Sequence, residues 1–242
     1  MKIKAFIPNL ITLMNLFSGC LSILFFSQGN LKLAGLMIFL AAIFDFFDGF
    51  AARILKAYSK IGGELDSLAD MVSFGVAPGF IIYQLILESH GRQSIMIFDV
   101  DLVPFTAFVV PMFAALRLAK FNVDERQTTS FLGLPSPAAG LLIASLPLIK
   151  IQLYEGQSLF YMVVTNAYFY IGTAIAMSLL MVIELPLFAL KFNSFKVKGN
   201  EIRFFFLIVS VVLLASLQFV AVPFIVITYL FLSLVVFLAD IQ

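Results

Sequence analysis

The sequence predicts an all-α protein, a polytopic bundle of transmembrane helices. Of its 242 residues, 62% are apolar and only 12% are charged, and the mean hydropathy is +1.08. A soluble globular chain carries about 25% charged residues, so this composition argues against a soluble enzyme and a disordered chain. The net charge of +1 provides no strong field for polyanions, which argues against nucleic acid as a partner. One cysteine leaves no intramolecular disulfide and no cysteine-based metal site.

The apolar runs are separated by clusters of charged residues, Gly, Pro and Asn, and most approach the roughly 20 residues that cross a bilayer. The first run follows Lys2 and Lys4 and continues past Cys20, which favours a retained helix over a cleaved signal segment. The last two are divided only near Pro223 and could form one bent segment. The spans are predicted near 9–27, 32–56, 66–88, 102–121, 136–153, 163–188, 203–220 and 222–239.

The distribution of lysine and arginine predicts the orientation of these spans. With eight spans and a cytoplasmic N-terminus, twelve of the 15 basic residues fall inside and three, Lys32, Arg92 and Lys150, fall outside. Such a bias is typical of cytoplasmic loops. We therefore expect a multi-pass protein of the cell (inner) membrane with its N-terminus in the cytoplasm. The inside set is Lys2, Lys4, Arg53, Lys56, Lys60, Arg117, Lys120, Arg126, Lys191, Lys196, Lys198 and Arg203.

Four of the 14 acidic residues lie close together at the cytoplasmic ends of the second and third spans. Asp45 and Asp48 are three residues apart, and Asp66 and Asp70 are four apart, so each pair shares one helix face. The linker near 54–62 is short, which makes the two helices antiparallel neighbours. An ionisable residue in a membrane span indicates function by default.

Four converging carboxylates repel one another unless a cation lies between them. Their all-oxygen character favours Mg²⁺, Mn²⁺ or Ca²⁺ over zinc, and carboxylates that share two such ions form a phosphoryl-transfer site. Two other interpretations remain open. The acids could pair with nearby basic residues at the interface, or they could carry cations in a transporter, although transporter sites usually lie near the bilayer midplane.

The order of these residues resembles a known family motif. Asp45-x-x-Asp48-Gly49-x-x-Ala52-Arg53, eight residues, then Gly62-x-x-x-Asp66-x-x-x-Asp70 is similar to the motif of the CDP-alcohol phosphotransferase family at every defined position. The segments 64–78, 116–122 and 131–140 resemble its phosphatidylserine synthase branch. Pro8-Asn9-x-x-Thr12-x-x-Asn15-x-x-x-Gly19 also fits, so the resemblance covers about residues 5–145.

The resemblance implies a reaction at the cytoplasmic face. CDP-diacylglycerol would donate its phosphatidyl group to the hydroxyl of L-serine, which attacks the β-phosphorus, and CMP would leave. The runner-up is another enzyme of the same family, such as a phosphatidylglycerophosphate synthase, and the rival from a different class is the cation-coupled transporter. The family also implies a homodimer and a six-helix core. We therefore expect a membrane domain over 1–190, with a basic loop and two extra C-terminal helices over 191–242.

The resemblance also implies roles for individual residues. Asp45, Asp48, Asp66 and Asp70 would hold Mg²⁺ or Mn²⁺, with two ions per site, and Asp70 would also serve as general base. The residues expected to contact the nucleotide or CDP-lipid are Gly49, Ala52, Arg53, Gly62, Pro8, Asn9 and Thr12. Arg117 and Lys120 would bind a phosphate or the serine carboxylate, or else only anchor the span at the membrane surface. Asn122 and Ser136 are polar candidates for the serine pocket.

Overall fold

The computed structural model describes residues 3–123, 131–154, 159–188 and 200–239. The described part is a helix bundle with four two-residue strands at its ends. The α-helices are α1 (Ile3–Ser27), α2 (Leu31–Ile54), α3 (Lys60–Asp70), α4 (Ala77–Leu87), α5 (Val109–Val123), α6 (Ser136–Leu153), α7 (Leu159–Val164), α8 (Ala167–Val182), α9 (Glu201–Leu217) and α10 (Ala221–Leu238). The strands are β1 (Met96–Ile97), β2 (Val100–Asp101), β3 (Phe131–Leu132) and β4 (Pro186–Leu187).

The first two helices form an antiparallel hairpin. Gly29, with φ of +74°, makes the tight turn between them, and Asn30 caps α2 by accepting a hydrogen bond from the Leu33 amide at 3.0 Å. The Ser22 hydroxyl donates to the Ala34 carbonyl at 2.8 Å, which ties the two helices together just below the turn. The start of α1 and the end of α2 therefore lie at the same end of the bundle.

The third span runs over Lys60–Leu87 and changes its winding in the middle. Ser59 caps its start, and a π-helical segment, Met71–Val76, separates α3 from α4. This segment is tightly enclosed. A Cβ at Gly19 of α1 would collide with Ser73, and one at Gly140 of α6 would come within 3.0 Å of the Phe74 side chain. Small residues thus let two helices, α1 and α6, approach the π segment closely.

Helix α6 is the centre of the bundle. Every residue from 142 to 149 is buried, so this helix is covered on all sides rather than along one stripe. It packs against α2, α4, α8 and α10. Its Lys150 forms an ion pair of 2.7 Å with Glu88, which follows α4, at the end of the bundle that contains the α1–α2 turn.

The sixth predicted span is shorter than expected. The sequence predicts a span near 163–188, but Asn166 caps a new helix and α8 ends at Val182. Pro186 cannot continue a helix, and Pro186–Leu187 instead pairs antiparallel with Phe131–Leu132. The two strands form a short ribbon, which we call the β3–β4 ribbon.

Helices α9 and α10 form a second antiparallel hairpin. A 3-10 turn over Gln218–Val220, with Gln218 at φ of +53°, reverses the chain. Phe206 and Tyr229 lie at similar distances along the chain from this turn, and their ring centroids are 5.7 Å apart. The structure therefore has two helices here rather than the one bent segment that the sequence left open, and the turn lies just before Pro223. The basic residues expected in the loop before this hairpin, Lys191, Lys196 and Lys198, lie outside the described residues.

Six helical stretches of the described chain are long and apolar enough to cross a membrane, and the last of them contains both α9 and α10. The protein is therefore a multi-pass integral membrane protein. The end of the bundle where α1 begins, α2 ends and α3 begins carries Asp45, Asp48, Asp66 and Asp70, and we call it the acidic end.

Candidate active site

Three aspartates meet at the acidic end, as the sequence predicts. Asp45 and Asp48 project from α2 and Asp66 from α3, and one carboxylate oxygen from each lies within 4.8 Å of the others. The pair on α2 shares a face because its members are separated by about one turn. The short connection between Ile54 and Lys60 then brings α3 back alongside. We call these residues the aspartate triad.

The oxygens of the triad suit a divalent cation. Asp48 is only 6% exposed, and its Oδ2, like Oδ1 of Asp66, is buried without a hydrogen-bond partner among the described residues. A buried carboxylate oxygen with no donor is costly unless a cation meets it. The triad could therefore hold a metal ion, and its hard oxygen ligands match Mg²⁺, Mn²⁺ or Ca²⁺.

Asp70 lies one turn beyond the triad and has a partner of its own. It is buried, and its Oδ1 accepts a hydrogen bond of 3.1 Å from the Asn15 side-chain amide of α1. Asp70 is close enough to Asp45 and Asp66 to interact with them electrostatically, but it does not belong to the set that meets within 4.8 Å. Its expected role as a metal ligand stays a prediction.

Asn15 is a site residue that the candidate set left out. It is fully buried, and its Oδ1 has no hydrogen-bond partner among the residues that the structure describes. The Ser73 hydroxyl of the π segment donates to its backbone carbonyl at 3.0 Å. An amide side chain inside an apolar span is the signal that could have identified it.

A cavity of ≈ 170 Å³ opens beside the triad. Its lining is Pro8, Asn9, Thr12, Asp48, Gly49, Ala52, Ala57, Tyr58, Ser59, Gly62, Gly63 and Asp66. All of the expected nucleotide-side residues except Arg53 are in this set. Ala57, Tyr58, Ser59 and Gly63 were not anticipated, since they belong to the α2–α3 connection and the start of α3 and carry no charged group that marks a site.

The two glycines that face this cavity differ in the room around them. A Cβ added at Gly49 would meet nothing within 4 Å, so this glycine contributes open space. At Gly62 it would lie 3.0 Å from the Ser59 hydroxyl and 3.1 Å from the Asn9 side-chain oxygen. Gly62 is therefore needed for close packing, while Gly49 keeps the cavity wide.

The family model described as CDP-alcohol phosphatidyltransferase matches residues 5–241. The chain belongs to this family. The matched range includes α9 and α10, which lie beyond the segments that carry the sequence resemblance. The expected division into a domain over 1–190 and an extension over 191–242 stays a prediction.

Several relatives named CDP-diacylglycerol–serine O-phosphatidyltransferase are similar to this chain. The protein from Bacillus subtilis (strain 168) is 38% identical over 141 residues, which is 58% of this chain and 75% of the relative. The protein from Helicobacter pylori (strain J99 / ATCC 700824) is 36% identical over 155 residues, 62% of each chain. One from Methanocaldococcus jannaschii is 36% identical over 137 residues, 57% of this chain and 58% of the relative. The chain thus spans less than two thirds of the last two.

The residues of this family member that we expect to bind the acceptor differ in environment. Arg117 is buried, its Nε donates to the Leu134 carbonyl at 2.6 Å, and it interacts electrostatically with Asp70. The side-chain oxygen of Asn122 accepts a hydrogen bond of 3.1 Å from Ser67 of α3. Arg117 is therefore the expected acceptor residue with the most direct connection to the acids.

The other predicted polar residues are less closely connected to the triad. Ser136 is buried at the start of α6, and its hydroxyl has no hydrogen-bond partner among the described residues. Lys120 and Arg53 are exposed. Arg53 donates from Nε to the Gly49 carbonyl of its own helix at 3.0 Å and does not line the cavity. Arg126 lies outside the described residues.

Proposed function

We propose that this family member transfers the phosphatidyl group of CDP-diacylglycerol to the hydroxyl of L-serine, giving phosphatidylserine and CMP. The single observation that carries this proposal is the aspartate triad beside a small cavity, in a chain of the CDP-alcohol phosphatidyltransferase family. The acceptor is suggested by the relatives, whose names specify serine.

Asp45, Asp48 and Asp66 would hold the divalent cation, with Mg²⁺ or Mn²⁺ and two ions as the expected complement. Bound there, the ions would neutralise the diphosphate as charge develops on the leaving group. The cavity that Gly49, Ala52 and Gly62 help to line would receive the nucleotide. Gly49 and Ala52 keep space open beside the triad, because neither has a side chain larger than a methyl group.

Asp70 would act on the acceptor. In the proposed step, the serine oxygen forms a bond to the β-phosphorus while the bond from that phosphorus to the bridging oxygen breaks. CMP leaves with the electron pair, and the serine hydroxyl proton passes to Asp70. Asn15 holds one oxygen of this carboxylate, which fixes its orientation for proton transfer. Arg117 would bind the serine carboxylate, since a guanidinium presents paired donors that match a carboxylate.

An acceptor assay tests the proposal. Purified protein in detergent micelles with CDP-diacylglycerol and Mg²⁺ or Mn²⁺ is given L-serine, glycerol 3-phosphate or inositol phosphate, and CMP release is measured. We expect release with L-serine alone, and loss of release with Asp70→Asn. Glu64→Gln is the matched control, because Glu64 is an exposed acid on the same helix that does not line the cavity.

Two other outcomes have clear meanings. Turnover with glycerol 3-phosphate and none with serine would overturn the acceptor and leave the family assignment intact. If the purified protein released no CMP but carried divalent cations across the membrane of proteoliposomes, the transporter interpretation would replace the enzyme interpretation.

The location proposed for the active site is the cytoplasmic face of the cell (inner) membrane. The positive-inside distribution of Lys and Arg supports it. In a Cys20→Ser background, a cysteine that replaces Lys60 should react only with reagents that enter the cytoplasm. A cysteine that replaces Gln93 should react with reagents that stay outside the cell. Both positions are exposed, and external labelling at Lys60 would reverse the topology.

The homodimer stays a prediction, which the mass of the purified protein in detergent tests.

A further inference from the structure

The described structure connects the C-terminal hairpin to the acceptor side of the site. Tyr229 of α10 is 7% exposed, and its hydroxyl donates to the Phe188 carbonyl at 3.0 Å. Its ring lies 5.0 Å from that of Phe188 and 5.7 Å from that of Phe206, centroid to centroid. Phe188 directly follows β4, so Tyr229 fixes the end of the β3–β4 ribbon by both a hydrogen bond and ring packing.

The other strand of the ribbon leads to Arg117. After β3, the Gly133 amide donates to the Leu185 carbonyl at 2.9 Å, and the Leu134 amide donates to the Leu180 carbonyl at 2.8 Å. Gly133 has φ of +77°, and a Cβ there would crowd the Ile183 carbonyl at 2.9 Å, so only glycine fits. This geometry directs the Leu134 carbonyl to the Nε of Arg117.

Within the described part of the chain, Arg117 is therefore held by the backbone that follows β3. Among the described residues, its recorded hydrogen bond is the one from Nε to Leu134. A guanidinium has five N–H donors, and the remaining four are on the other two nitrogens. Arg117 is also close enough to both Asp70 and Tyr229 to interact with them electrostatically.

We propose that Tyr229 is a positioning residue for the acceptor site. Its hydroxyl and ring hold the β3–β4 ribbon in the register at which the Leu134 carbonyl anchors Arg117 beside Asp70. This gives the C-terminal hairpin a role in recognition of the acceptor. The proposal rests on the proposed function, because it takes Arg117 to bind the carboxylate of the acceptor.

The test separates positioning from simple stability. Tyr229→Phe removes the hydroxyl and keeps the ring, and Tyr168→Phe is the control, since Tyr168 is exposed at the opposite end of the bundle. Loss of one hydrogen bond should raise the KM for serine roughly three- to tenfold. The KM for CDP-diacylglycerol should stay within about twofold of wild type. A fall in kcat alone, with both KM values unchanged, would overturn the proposal.

A double-mutant cycle tests whether Tyr229 acts through Arg117. Arg117→Lys keeps the charge and removes the Nε anchor, so Tyr229→Phe should have no further effect on the KM for serine in that background. The same coupling should appear in the melting temperature, which needs no turnover. Effects that add independently in both measurements would refute the connection. If the wild-type protein turned over a different acceptor and not serine, the proposed function would be refuted instead. The effect of Tyr229→Phe on the KM for that acceptor would then test the positioning role of Tyr229.

Discussion

Neutralising one member of the aspartate triad should stabilise the metal-free protein and lower its activity when metal is present. The perturbation is Asp66→Asn, which preserves the shape of the side chain and removes its charge. At separations of 4.8 Å or less, two ionised carboxylates repel each other by at least about 3.5 kcal/mol at an effective dielectric constant of about 20. Asp66 takes part in two of the three repulsive pairs, so with all three carboxylates ionised and no cation bound its neutralisation relieves about 7 kcal/mol of gross repulsion.

The melting temperature of Asp66→Asn in EDTA should therefore exceed that of wild type. With Mg²⁺ or Mn²⁺ present the order should reverse, because wild type gains stability from the bound cation and the variant has lost a ligand. Turnover should fall about 100- to 1,000-fold, which corresponds to the several kcal/mol that a metal ion contributes to stabilising charge in a transition state.

The assays are thermal unfolding in detergent, Mn²⁺ binding followed by electron paramagnetic resonance, and CMP release. Glu64→Gln removes a charge from the same helix outside the cavity and should change none of the three. Two results would refute the reasoning. These are full wild-type activity in EDTA, and Mn²⁺ binding by Asp66→Asn that equals that of wild type.

Three further predictions follow from single contacts. Gly49→Ala should fold normally and raise the KM for CDP-diacylglycerol, because its Cβ enters open space in the cavity. Gly62→Ala should also lower the melting temperature, because its Cβ would contact Ser59 and Asn9. Equal melting temperatures for the two variants would contradict this. Asn15→Ala removes the amide donor to Asp70 and should reduce stability by about 1–3 kcal/mol, measured by thermal unfolding, since a buried carboxylate loses its partner. Burial raises the pKa of Glu88, but its hydrogen bonds with Lys150 and Gln84 lower the pKa by more than burial raises it. The pKa of Glu88 is therefore below its usual value. The stabilisation is then complete above the unfolded pKa near 4.5 and is lost as the pH falls through the lower folded value, so Glu88→Gln should destabilise the protein at pH 7 and not at pH 3.

The parts of the site that the sequence predicts are those that local geometry fixes. Helical periodicity places Asp45 beside Asp48, and the short linker brings Asp66 back to them, so the triad follows from spacing alone. The same logic applies to Gly49 and Gly62, which share the motif with these acids. Family resemblance then identified Pro8, Asn9 and Thr12, all of which line the cavity.

The contacts that sequence spacing did not predict join distant parts of the chain. Asn15 and Asp70 are 55 residues apart, and the bond between them depends on how α1 packs against α3. The β3–β4 ribbon pairs two strands of two residues each, which are too short to leave an alternating pattern. Because the Leu134 carbonyl follows that ribbon, the anchor of Arg117 could not be predicted either. The sequence identified Arg117 as a candidate but not the backbone that holds it.

The π-helical segment sets a constraint on the number of residues between the acids and the core. Helix α4 is fixed in the bundle by fully buried side chains such as Ile81 and Leu85. An α-helix turns by about 100° per residue, so deletion of one residue from Met71–Val76 would rotate α3 by about that angle relative to α4. Asp66 would then point away from α2 with every carboxylate still present in the sequence. Related chains should therefore vary in the identity of the residues in this segment far more readily than in its length.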